Sequence, residues 1–151
     1  YKDKVKNCVF NAIKEPFDKH GYLNKNYIAY FDIVYKELAK FNFPALIFLD
    51  PDTGLEPEKS KGYEYVSYET IHSLYDAIGD NSIVMIYQHG RQQHHNKLVT
   101  LEIITQNISH ISDGEIVFYF LTKDKKTKND LDNLLRQYKG KDGYNRWIST
   151  S

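Results

Sequence analysis

The chain has 151 residues, with 20 Lys and Arg against 20 Asp and Glu. That length suits one domain with a sizeable core, and the charge balance excludes a globally basic nucleic-acid footprint while leaving room for a local patch. Cys8 is the only cysteine, which excludes an internal disulfide and points to a reducing, cytoplasmic setting.

No apolar run approaches the roughly 20 residues that cross a bilayer, so no membrane partner is expected. In chain order, Val5, Cys8, Val9, Ala12 and Ile13 follow the spacing of an amphipathic helix that Pro16 should stop. A second helix is predicted over about 27–41, with Ile28, Phe31, Tyr35 and Leu38 on one face and Asn26 as N-cap. The apolar run Ala45–Leu49 reads as a buried strand. The polar stretch Lys59–Gly62 reads as a loop. Ser67 is a predicted N-cap for a helix over about 68–78, with Gly79 as its C′ residue. Within that helix His72 falls among polar positions and reads as exposed.

Ser82–Tyr87 is a second buried strand, followed by a helix over about 96–108 and a turn at Asp113-Gly114. Glu115–Leu121, rich in β-branched and aromatic residues, is a third strand. Lys123–Lys128 reads as a charged loop, and Leu131, Leu134, Leu135 and Tyr138 mark a further helix. After a turn over 140–143, residues 144–148 form a last strand, antiparallel at an edge. Strands alternating with helices predict a single α/β domain: a three-layer, Rossmann-like, mainly parallel sheet with helices on both faces. Residues 1–42 would be a helical lead-in and 43–151 the sheet core.

Chemistry concentrates where strands end. Open α/β sheets bind ligands at the carboxyl ends of their strands. There, Asp50, Pro51, Asp52 and Glu56 follow the first strand, and Gln88, His89 and Arg91 follow Tyr87 on the second. Two or three carboxylates, an imidazole, an amide and a guanidinium would then share one cleft. The candidate catalytic residues are Asp50, Pro51, Asp52 and His89, and the candidate substrate-binding residues are Glu56, Tyr87, Gln88 and Arg91. Asp50, Asp52 and Glu56 also offer oxygen ligands at alternate positions to a hard cation such as Mg²⁺. His94 and His95 are adjacent and would diverge on a helix or strand, which favours a solvated loop over a metal site.

The run Leu46-Ile-Phe-Leu-Asp50-Pro51 resembles the fourth-strand motif of class I S-adenosylmethionine-dependent methyltransferases, which in the amino-methylating group reads Asp-Pro-Pro-Tyr. The resemblance covers roughly residues 27–121. It implies a Rossmann-like fold, S-adenosylmethionine as cofactor, and an amine of a nucleic acid base as substrate. Asp50 would hold the target amine and Pro51 would help present a backbone carbonyl to it. Such an amine must be held in line by acceptors while its nitrogen loses conjugation with the ring. Asp52 and Thr53 replace the family's Pro and aromatic residue; Tyr63, Tyr65 or Tyr87 would have to supply the stacking surface. The glycine-rich cofactor loop has no counterpart, because no Gly-x-Gly occurs in the chain.

Asp50-Pro-Asp52-Thr-Gly54 is also similar to the haloacid dehalogenase motif Asp-x-Asp-Gly-Thr, with Thr and Gly transposed. Pro51-Asp52 is similar to the start of the Pro-Asp…Glu-x-Lys nuclease motif, whose second half is missing. The leading expectation is a methyltransferase-like domain. The alternatives are a magnesium-dependent phosphoesterase or nuclease using Asp50, Asp52 and Glu56, and a non-catalytic Rossmann-like binding or assembly module.

Overall fold

The computed structural model describes residues 27–40, 43–51, 53–57, 65–89, 94–112, 115–139 and 147–150. The elements are α1 (Tyr27–Leu38), β1 (Leu46–Leu49), α2 (Tyr68–Ala77), β2 (Ile83–His89), α3 (His94–Ile104), β3 (Ile108–Ser112), β4 (Ile116–Thr122), α4 (Lys125–Lys139) and β5 (Trp147–Thr150). The predicted helix over Val5–Ile13, the Asn26 cap, the Lys59–Gly62 loop and the turn at 140–143 lie outside the described residues.

The five strands form one sheet in the order β1-β2-β4-β3-β5. Only β1 and β2 run parallel, with Leu46 beside Ile83 and Leu49 beside Ile86. The pairs β2–β4, β3–β4 and β3–β5 are all antiparallel. The protein is therefore mixed α/β, and the expectation of a mainly parallel sheet is corrected. The physical reason is local. The helix expected over about 96–108 ends at Ile104, and Ile108–Ser112, not expected as a strand, form β3, where Ile108-Ser-His-Ile-Ser carries no helical stripe. The short connection from Ser112 to Ile116 holds Asp113-Gly114, a hairpin signal. Such a link has no room for a crossover helix, so β4 must return antiparallel.

The chain ends α3 early with side chains that bond backbone. Thr105 Oγ1 accepts from the Asn107 amide at 3.0 Å, and Asn107 Nδ2 donates to the Lys123 carbonyl at 3.0 Å. Such local bonds compete with helix continuation.

Strand alternation divides the sheet into two faces. One face buries Val84, Ile86, Val117, Tyr119, Leu121 and Ile108 against Ile71 of α2, Ile78 just beyond it and Leu101 of α3. The opposite face packs Phe120, flanked by Ile83, Met85, Ile111 and Phe118, against Leu131 and Leu135 of α4. A buried polar link fixes α4 there. Ser109 Oγ donates to Asp132 Oδ1, and Lys128 Nζ donates to Asp132 Oδ2 at 2.8 Å. Burying a charge is costly unless it is hydrogen-bonded and compensated, as the Lys128–Asp132 pair is.

Helix starts follow capping chemistry. Ser67 caps α2 as expected, accepting from the Thr70 amide at 3.1 Å. Asp124 Oδ1 accepts from the Thr127 amide at 2.7 Å, so α4 begins inside the run expected as a charged loop. At the other end of α2, Gly79 follows the C-cap residue Ile78 and stands at the expected C′ position, without a positive φ. The positive-φ position after α2 is Asn81, at φ 60°, a conformation asparagine tolerates.

Candidate functional site

Asp50 is the first residue beyond β1 and is exposed, with no hydrogen bond or ion pair to any described residue. The β1–β2 register ends at Leu49 beside Ile86, so Asp50 emerges level with Tyr87 on the neighbouring strand. Tyr87 Oη lies 3.0 Å from His89 Nε2, and the two rings meet edge to face at 4.9 Å. Tyr87 also contacts Phe118 of β4 at 5.4 Å, and Phe118 contacts Phe48 of β1 at 6.4 Å. The carboxyl ends of the two parallel strands thus bring together an exposed carboxylate with no partner among the described residues, a phenol–imidazole pair and a row of aromatic rings. Pro51 is half-buried beside Asp50. Asp52 and Arg91 lie outside the described residues.

Beneath this edge sits a buried clamp. Gln88 alternates with Tyr87 and faces the core. Its Oε1 accepts from the Leu55 amide at 2.7 Å and from Lys97 Nζ at 2.9 Å. Lys97 Nζ also donates to the Leu55 carbonyl at 3.2 Å. The Gln88 amide nitrogen donates to the His89 carbonyl. Gly54 is required at the clamp. Its φ is +96°, and a Cβ built there would lie 2.4 Å from Gln88 Oε1. The Gln88 amide is therefore spent on holding the loop after β1 and faces no solvent.

Lys97 is buried and makes no ion pair among the described residues. Burial holds its ammonium below the usual lysine range, since desolvation disfavours the charged form. Sequence reading passed over this residue. The available signal was its spacing: Lys97 precedes Leu101 by one helical turn and shares the inward stripe of α3.

Glu56 also has a structural task. Its Oε1 accepts from the Tyr68 amide at 2.9 Å, at the first turn of α2. The Glu56 amide and the Gly54 carbonyl bond to Val66, forming a parallel bridge between Leu55 and Val66. A carboxylate at a helix N-terminus satisfies an orphan N–H and complements the helix dipole. His94 and His95, expected in a loop, lie in the first turn of α3. Among the described residues no group of three His, Cys, Asp or Glu is placed to hold a metal ion. No described helix is long and apolar enough to cross a membrane. His72 is exposed, 3.3 Å from Asp76 on the same helix.

Fold and site together define a mixed α/β domain with a polar and aromatic edge at the ends of the parallel pair β1–β2. No protein-family model, no curated protein and no solved structure matches the chain.

Proposed function

We propose that this is a methyltransferase-like domain whose β1 end receives an amine of a nucleic acid base, within a Rossmann-like three-layer arrangement of sheet and helices. The supporting observation is the placement of Asp50. It is an exposed carboxylate without a described partner, at the end of a parallel strand and level with Tyr87 and His89. A carboxylate held by a turn or an ion pair would serve structure, whereas this one is left to accept from a ligand. Tyr87 and Phe118 offer ring surface of the kind a planar base stacks on. Asp50 accepts from the exocyclic amine, Pro51 stiffens the backbone behind it, and the Tyr87–His89 pair supplies a donor and an acceptor to the ring edge.

The described residues do not fit the sulfonium cofactor. The positive-φ glycine of the site, Gly54, has the place of its missing side chain filled by Gln88, so it forms no cradle. The phosphoesterase alternative loses one ligand of its set, because Glu56 is committed to the start of α2.

The test is a thermal-shift titration with three arms: adenosine or cytidine against thymidine, S-adenosylmethionine, and Mg²⁺ or Mn²⁺. A ligand that binds only the folded state raises its stability by mass action. The expected result is stabilisation by the amine-bearing nucleosides, lost in Asp50→Asn. That variant should itself stay within about 0.5 kcal/mol of the parent stability, as an exposed residue without partners among the described residues should. Stabilisation by metal alone would move the assignment to phosphate-ester chemistry. No response in any arm would leave a binding or assembly module as the better reading.

A further inference from the structure

β1 is an edge of the sheet, with no described strand on its outer side. The Ile83 amide donates to the Ala45 carbonyl at 2.9 Å, and the Ala45 amide donates to Ser82 Oγ. In a parallel ladder alternate residues bond the same neighbour. The backbone groups of Ala45, Ile47 and Leu49 therefore face β2, and those of Leu46 and Phe48 face outward. The side chains at this edge are apolar and open: Leu46 is 63% exposed, Phe48 51% and Phe43 53%. Natural edges are commonly protected by charge or by a covering element. Here no charged residue occurs from Phe41 to Leu49, and α4 packs against β3, β4 and β5.

We propose that this edge pairs with β1 of a second copy of the chain, antiparallel across a two-fold axis centred on Ile47. The edge shares Phe48 with the aromatic row beside Asp50, but the pairing rests on the strand edge alone and not on the base-binding proposal. In that register Leu46 faces Phe48 of the second copy, and Phe48 faces Leu46. Both pairs exchange their outward N–H and C=O groups, and both place two apolar side chains on the same face of a continuous sheet. A two-fold sets identical surfaces against each other, so a charged patch would repel itself. This one carries no charge to do so. Pro44 and Pro51 bound the stretch that can pair, since neither can donate to a ladder.

The area suits a weak dimer. Each half-exposed Phe leaves on the order of 100 Å² of ring uncovered. With Leu46 and the strand edge, the contact falls at the low end of specific interfaces, below about 1,200 Å² in total. The expected association is therefore in the micromolar range.

Sedimentation equilibrium of the chain over a concentration series tests this, alongside Phe48→Lys. The expected result is a monomer–dimer equilibrium whose midpoint moves up by about tenfold or more in Phe48→Lys, with an unchanged circular-dichroism spectrum. A second variant covers the case in which Phe48→Lys does not fold. Ile47→Cys, in a Cys8→Ser background, should oxidise to a covalent dimer. Residue 47 would face its own copy as a non-hydrogen-bonded pair with Cα atoms about 4.5 Å apart, within disulfide reach. A parent chain that stays monomeric at about 100 μM overturns the proposal, because the apolar edge must then meet something other than a second copy. So does a dimer untouched by Phe48→Lys, and so does a dimer that Ile47→Cys fails to cross-link.

Discussion

Asp50 and Gln88 sit one strand apart and do opposite things. Asp50 is exposed and has no partner among the described residues, whereas the Gln88 amide is buried and fully engaged with Leu55, Lys97 and His89. Both were legible in the sequence as polar groups at strand ends. Only alternation along β2, which turns residue 88 toward the core and 87 away from it, tells their tasks apart. Gly54 is the residue on which the clamp most depends. Gly54→Ala meets two obstacles: a positive φ and a Cβ position already occupied by Gln88. It should destabilise the protein by about 2–4 kcal/mol in urea denaturation. The double variant Gly54→Ala/Gln88→Ala should recover the steric part, so the two substitutions should fail to add. Additive losses would show that strain at φ, and not contact with Gln88, explains the glycine.

At the scale of elements, helix starts were more legible than helix ends. The Ser67 cap was readable because its hydroxyl, three residues before Thr70, needs only local chain to work. The start of α4 was misread because lysine-rich runs suggest loops. Yet Asp124 supplies a cap and Lys128 finds Asp132 one turn on. Asp124 also accepts from the Asn81 amide at 3.2 Å through Oδ2, which ties α4 to the turn before β2. Hydrogen bonds, chiefly from Thr127, hold its carboxyl below the usual aspartate range. The sign follows from linkage: a lowered pKa gives stability that is present above the unfolded value, about 3.9, and lost as pH falls through the folded one. Asp124→Ala should weaken amide-exchange protection at Thr127 and Asn81 near neutral pH. Acidifying the parent through the folded pKa should reproduce that effect, and the variant should be indifferent to it. Equal protection in parent and variant near neutral pH would remove Asp124 as the cap.

Across the whole molecule, the core holds two groups whose titration opposes each other. Tyr119 is fully buried, and burial, with a smaller contribution from Tyr68, raises its phenol above the ordinary value of about 10. The unfolded chain therefore loses its proton first, and stability falls as pH rises above about 10. Lys97 runs the other way. Its lowered pKa means the unfolded chain holds more protons below about 10.5, so stability rises with pH from the folded value to that point. Urea midpoints from pH 8 to 12 should show Tyr119→Phe losing less stability than the parent above about pH 10. Lys97→Met should gain less than the parent below about 10.5. Parallel curves for parent and Tyr119→Phe would mean that the buried phenol does not govern alkaline unfolding.

The sequence alone determined the apolar strands β1, β2 and β4, the end of β1 at Asp50 and the capping of α2, because each is written in residues close together in the chain. The tertiary structure decided what depends on distant neighbours. It set β4 between β2 and β3, made three of four strand pairings antiparallel, and turned Gln88 and Glu56 into structural groups. A strand's periodicity states which face is buried, but not which strand lies beside it or in which direction. That choice is made by connection length and by the partners available to each backbone edge.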